Sequence, residues 1–396
     1  MFNRRSLLTC VLTALIFGLM LGAALYLPNA LPVNSDFSAL YYTDLALVKR
    51  APIYDLEAVE EIALRATKDA QPGKFFLARF PYPPWYALAT FYLGLLPAQA
   101  AAALWFELNL AMLFLSVWLL TDGWGGRLRL LAFPAALMFL PTLGILAVGQ
   151  YDFPILLGTA LTIYAARRKH ATFSALGIVL LTFKPHLGAL TILAALFWLI
   201  AQKNDLGRRT LRLTVLSAIS LFAAGFIADP NWIVNYPAML LAYGSEGNVS
   251  ACSECVSLPV YLSRALFDGS LARAAALAAI LLLICLALFF TRRRTLARSH
   301  EILFAATTLG ALLVSPYLYN YDFALLLIPF AILVRENNLP QRIFVAFFYA
   351  LPTIAILAFG RGGGGALIVA ALCIAPVLLR DETERNSIDR IKIPTV

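Results

Sequence analysis

Apolar stretches of about 15 to 23 residues recur along the whole chain, separated by short polar breaks that carry most of its arginines. None shows the period-2 alternation of barrel strands, so each reads as a helix. Charged residues make up 13% of the chain against 61% apolar, and the mean hydropathy is +0.80. A soluble domain covers its core with about 25% charged residues. Lipid is therefore the solvent these helices need, and in hydrocarbon a helix pairs its own backbone N–H and C=O groups. The expected fold class is all-α, a polytopic transmembrane helical bundle of about twelve spans. It forms a single integral membrane domain over residues 1–396, with no separate soluble domain.

Charge orients the bundle. Arg127 and Arg129 form one cluster; Arg167, Arg168 and Lys169 another; Lys203, Arg208, Arg209 and Arg212 a third. Arg292, Arg293, Arg294 and Arg298 follow, then Arg335 with Arg342, and Arg380 with Arg385, Arg390 and Lys392. Placing these in the cytoplasm with Arg4 and Arg5 puts 21 of the 31 lysines and arginines inside, as the positive-inside rule requires. Both termini are then cytoplasmic, in a cell (inner or plasma) membrane protein with a cytoplasmic tail at 381–396. The net charge of +9 thus marks topology. No nucleic-acid partner is expected, because a nucleic-acid groove needs its basic residues on one face, interleaved with stacking aromatics.

Spans are predicted near 7–27, 99–120, 128–147, 152–166, 171–183, 187–201, 210–228, 271–291, 301–317, 321–335, 341–359 and 365–380. The first resembles a signal peptide but is long enough to cross and lacks an A-x-A ending before Pro28, so it reads as a retained helix. Pro84 to Pro97 is too short to cross a core of about 30 Å. It is expected to lie in the outer interface, anchored by Trp85, Tyr86 and Tyr92. Two long outer loops follow, 28–98 and 229–265. The first includes an amphipathic stretch from Leu56 to Ala70, and the second carries Cys252 and Cys255, which an oxidising compartment would join. Cys10, Cys285 and Cys373 fall within spans and read as packing residues. Zinc is disfavoured, because no further cysteine pair or nearby histidine completes a tetrahedral set.

Polar chemistry gathers on the outer face. Asp36 follows the first span and reads equally as a helix cap or as a catalytic acid. A capping role is favoured for Asp44 and Asp55, with Asp44 also a candidate for substrate binding. Lys184, before the helix-interrupting Pro185, either snorkels or meets a phosphate. Gln150 and Asp152 on the neighbouring turn, and His186 beside Lys184, offer partners for a polar ligand. Tyr317, Tyr319, Asn320, Tyr321 and Asp322 combine aromatic faces with hydrogen-bonding tips, a mixture suited to sugars. A transporter or lipid flippase is the competing class. It is disfavoured because no internal repeat is visible and the polar residues collect at one face.

In order, the chain contains Asp36-Phe37, A-P-I-Y-D at 51–55, Y-P-P-W at 82–85, Gly149-Gln150, F-K-P-H-L-G at 183–188 and S-P-Y-L-Y-N-Y-D at 315–322. This series resembles glycosyltransferase family 87, a branch of the GT-C superfamily that takes sugars from polyprenyl-phosphate carriers. Two positions depart from the family pattern. Tyr151 stands where many members have Asn, and Tyr319 and Tyr321 stand where many have Trp and His. The resemblance implies a GT-C-like long first outer loop with juxtamembrane helices. It implies inverting transfer of a hexose or pentose (mannosyl-type chemistry included) from a polyprenyl-phosphate sugar to a lipid or glycan acceptor, on the extracytoplasmic face. Asp36 would be the general base and Lys184 the cation for the donor phosphate. Asp44, Gln150, Asp152, His186, Tyr319, Asn320, Tyr321 and Asp322 would bind substrate. No cofactor and no divalent metal is implied, because the activated sugar arrives on lipid; membrane lipid is the remaining expected partner.

The topology is testable with single reporter cysteines in a background without other reactive thiols. In intact cells Ala70→Cys should react with an impermeant maleimide and Trp124→Cys should not. Reaction at both would break the assignment of sides.

Overall fold

The computed structural model describes residues 35–67, 77–245, 255–266, 270–291, 299–335 and 339–379. The predicted first span, Cys10, Cys252 and the 381–396 tail lie outside the described residues. All regular structure among the described residues is helical.

Helices follow the apolar runs closely. The predicted 99–120 span is Ala98–Leu120 and the predicted 341–359 span is Leu339–Phe359. Among the described residues, four helices are long and apolar enough to cross a membrane alone: Ala98–Leu120, Asp205–Ala228, Ala272–Thr291 and Leu339–Phe359. They turn apolar side chains outward; Leu216, Leu283 and Leu357 are all more than half exposed, as lipid contact requires.

The remaining predicted spans are shorter or interrupted. Residues 128–147, expected as one helix, form Gly126–Met138 and Leu140–Val148, bent by 58°. Phe139 between them is extended (φ −67°, ψ 121°), and Pro141 in the following first turn has no N–H to continue the ladder. The predicted 321–335 span begins as a 3-10 turn, Asn320–Leu326, before the helix Leu327–Arg335. Ala171–Leu181, with 11 residues, rises about 16 Å, well short of a hydrocarbon core of about 30 Å. Such short elements survive because protein surrounds them. Most of Phe153–Arg168 is buried.

Close helix contacts explain that burial. A Cβ at Gly158 would lie 2.7 Å from the Gly177 carbonyl oxygen, and one at Gly177 would collide with the Gly158 carbonyl and the Thr162 hydroxyl. Small residues thus let Phe153–Arg168 and Ala171–Leu181 pack backbone to backbone, as membrane helices do. The described part of residues 28–98 packs onto the same bundle. Asp55 caps Leu56–Ala66 as expected, accepting from the N–H groups of Glu57 and Ala58. Pro84–Thr90, continued by the 3-10 turn Phe91–Leu95, is too short to cross, as expected, but of its three expected anchors Tyr86 faces inward. Tyr86 is buried and stacks on Phe183 (4.6 Å between centroids), while the Trp85 indole donates to Thr182 Oγ1 at 3.0 Å. Both rings thus brace the turn that carries Lys184.

Charge divides the bundle into two ends. Phe153–Arg168 runs from Asp152 to Arg168, and Leu327–Arg335 runs from just beyond Asp322 to Arg335. At the second end Arg167 and Arg335 both pair with Glu301, at 2.6 and 2.7 Å, and Arg168 pairs with Asp122 at 2.8 Å.

The Gly158–Gly177 contact yields a stability prediction. Gly177→Leu should destabilise the protein by about 1–3 kcal/mol through overpacking, seen as a lowered melting temperature in detergent. Gly365→Ala, where an added Cβ meets nothing within 4 Å, should leave it unchanged.

Candidate active site

Asp36 opens the helix Asp36–Val48, and Ser35 holds the N-cap position without a side-chain cap bond. Asp36 is therefore no cap. Its Oδ2 accepts from Gln150 Nε2 at 3.1 Å, and the same amide nitrogen donates to the Tyr321 hydroxyl at 2.8 Å. Gln150 thus links the Asp36 carboxylate to the Tyr321 hydroxyl. Gln150 Oε1 accepts from the Tyr151 N–H at 2.9 Å, which fixes the amide's orientation. The Tyr151 hydroxyl donates to the Asp36 backbone carbonyl. Gly149, left-handed at φ 68°, ends Leu140–Val148 and turns the chain so that Gln150 and Tyr151 face this helix. Its own carbonyl accepts from the Trp105 indole at 2.8 Å.

Burial pushes the Asp36 carboxyl up to about 6. The Lys184 charge and the hydrogen bonds from Tyr321 and Gln150 pull the other way, and Asp322 adds to the rise. A carboxylate poised there is a far better base near neutrality than an exposed aspartate.

Lys184 stands just before Pro185–Ala201. Its Nζ lies 2.6 Å from Asp152 Oδ1 and 2.6 Å from Asp322 Oδ1, with all three side chains at most 4% exposed. Asp322 Oδ2 accepts from the Tyr319 N–H at 2.6 Å, while Asp152 Oδ2 has no hydrogen-bond partner among the described residues. Lys184 was expected to snorkel or meet a phosphate; here it joins three separate turns as a buried ion triad. The triad spends two of the three ammonium hydrogens.

Asp36, Gln150, Lys184, His186, Tyr319, Tyr321 and Asp322 all line one cavity of about 290 Å³. Along one wall the hydroxyls of Tyr243 and Tyr317 meet, and Tyr317 donates to Tyr319 at 2.9 Å. The Tyr319 and Tyr321 rings lie 5.1 Å apart, tilted by 30°. Such a wall offers flat apolar faces with hydroxyl rims, the lining that polar, ring-shaped ligands need.

Three expected residues do not line the cavity. Asp152 lies buried against Lys184. Asn320 turns toward Gly364, whose Cβ position is 2.5 Å from Asn320 Oδ1. Asp44 sits mid-helix, fully buried, where it cannot cap; its Oδ1 accepts from Thr90 at 3.2 Å, and burial holds its carboxyl well above the usual range. Cys255 is buried and disulfide-bonded, whereas Cys252, the partner expected for it, lies outside the described residues. Arg79 also lines the cavity and was not singled out in the sequence, while Tyr82 and Tyr151, noted there only as motif positions, line it too. Arg79 was detectable as a cation left on the outer side, three residues before Y-P-P-W.

Neither a curated protein nor a solved structure matches this chain. A family model does. It matches residues 80–316, which include the Gly149-Gln150 turn, the Lys184 turn and the start of the tyrosine wall, but neither Asp36 nor Asp322. The residues matched are more than half of the chain, and the chain therefore belongs to glycosyltransferase family 87.

Proposed function

We propose that this glycosyltransferase moves a hexose or pentose from a polyprenyl-phosphate donor to a hydroxyl of a lipid or glycan acceptor, on the extracytoplasmic face of the cell membrane. The bundle would cross about twelve times with both termini in the cytoplasm. The observation that carries the reading is one cavity shared by a carboxylate poised near pH 6, a clamped ammonium and a tyrosine wall.

In this reading Asp36 removes the acceptor's hydroxyl proton as the oxygen attacks the anomeric carbon. The bond between that carbon and the phosphate oxygen breaks, its electron pair leaves with polyprenyl phosphate, and the configuration inverts. Gln150, itself tied to Tyr321, holds the carboxylate in place, and Tyr151 holds the backbone beneath it. Lys184 keeps one ammonium hydrogen beyond the triad for the leaving phosphate. Arg79 and His186 line the same cavity and extend its capacity for an anion. Asp152 serves by positioning Lys184. Nothing in this sequence of steps calls on a nucleotide or a metal ion.

Asp36→Asn preserves shape and removes the base. Turnover of purified protein with radiolabelled polyprenyl-phosphate sugars should fall by about two to four orders of magnitude at unchanged melting temperature. A folded variant with near-normal transfer would overturn the assignment.

The raised Asp36 pKa also sets a pH dependence. Only the ionised form accepts a proton, so kcat/KM should be on its plateau above about 6 and fall about tenfold per pH unit below. A profile flat down to pH 4.5 would point to another base.

Lys184→Met should behave differently from Asp36→Asn. It leaves two buried carboxylates without their cation, a loss of about 3–5 kcal/mol when one partner of a buried pair is removed. Both melting temperature and donor affinity should drop, whereas Asp36→Asn should lower only turnover.

A further inference from the structure

A second polar cleft, of about 570 Å³, lies at the end of the bundle away from the cavity of Asp36, next to the Glu301 ion cluster. Gly123 through Leu128, Val334, Arg335 and Arg342 line it. Three arginines line it, and no carboxylate is among the described lining residues. Arg335 spends Nη1 on Glu301, while its Nη2 lies 3.9 Å from the Cβ position of Gly123. Two buried donors at the cleft, Trp124 Nε1 and Arg342 Nε, have no acceptor within the described protein. A buried N–H without an acceptor is unfavourable, so these groups would gain from an acceptor supplied from outside.

The backbone adds to the same demand. Gly125 caps Gly126–Met138 without a side chain, so the first-turn N–H groups have no side-chain acceptor. A Cβ at Gly125 or Gly126 would meet nothing within 4 Å, and an anion can approach that helix end closely.

What surrounds the cleft identifies the rest of the ligand. Leu130 and Leu131, in the turn after Arg127, are 75% and 63% exposed; Leu339 and Ile343, either side of Arg342, are 68% and 61% exposed. Cations and donors therefore border a bare apolar surface directly. Free phosphate would use only the first of these features, whereas an amphiphile uses both. We propose that this cleft binds the headgroup phosphate of an acidic phospholipid, with the acyl chains lying along the exposed leucines. The site is separate from the transferase cavity and does not depend on the donor or acceptor assigned to it.

Native mass spectrometry of the full chain, released from detergent containing equal phosphatidylglycerol and phosphatidylcholine, tests this. Phosphatidylglycerol should be retained preferentially. The Arg127→Gln/Arg342→Gln double variant should lose that retention by about tenfold or more, since charge-assisted hydrogen bonds contribute about 1.5–3 kcal/mol each. Arg209→Gln, which removes one arginine elsewhere on the surface and so matches Arg127→Gln in charge, should retain the lipid. Arg127 is exposed, so Arg127→Gln alone serves if the double variant does not purify, and it should show a smaller loss in the same direction. Equal retention of both lipids, or equal loss in Arg209→Gln, would overturn the proposal. So would inorganic phosphate raising the melting temperature of wild type as much as phosphatidylglycerol does, which would mark a free-anion site.

Discussion

The ammonium of Lys184, buried between Asp152 and Asp322, is the contact on which the cavity end of this molecule depends. Each carboxylate follows the end of one helix and precedes the start of another, and Lys184 does the same between Ala171–Leu181 and Pro185–Ala201. Three chain reversals with no backbone ladder between them are thereby joined at one nitrogen. Isolated charges in so buried a place would be too costly to keep. Together they are tolerable only while all three turns stay in position, which makes the triad a register pin as much as a source of charge.

Around that pin the protein can abandon regular helix at depth. Irregular backbone survives near hydrocarbon only where protein surrounds it, and the turns at Gly149–Asp152 and Phe183–Lys184 are buried almost throughout. Tyr86 and Phe183 stack beneath the second of these, and Tyr151 and Trp105 close the first. The departure from the family pattern at Tyr151 has a local meaning here. Its hydroxyl reaches the Asp36 carbonyl, joining the outer-loop helix to the bundle at the residue whose position matters most to the chemistry.

Helix positions were largely legible in the sequence because lipid exposure is written in composition. Hydropathy sees an apolar residue equally well whether it faces lipid or a neighbouring helix, so it could not distinguish the short buried elements such as Ala171–Leu181 from helices long enough to cross alone. Nor could it see the bend at Phe139, which depends on one extended residue and Pro141. At the site, Asp36, Gln150, Lys184 and Asp322 were found because polar residues at the ends of apolar runs are few. Asp44 and Asn320 share that signature yet turn away from the cavity, since the direction of a side chain on a short helix or 3-10 turn is set by packing partners far away in sequence. Tyr86 misled for a related reason. An aromatic residue near a membrane surface and one wedged beneath a turn look alike until the turn is in place.

The bend at Phe139 also sets a depth. A straight continuation through the nine residues of Leu140–Val148 would advance about 13 Å along the first helix axis. Turned by 58°, the same nine residues advance only about 7 Å in that direction, taking the rise of about 1.5 Å per residue. Gln150 is thus delivered about 6 Å short of where an unbroken helix of equal length would carry it, on the same rise per residue. If the proposed lipid-linked donor lies along the first helix axis, that difference corresponds to several methylene groups that would not have to leave hydrocarbon before its headgroup met the amide.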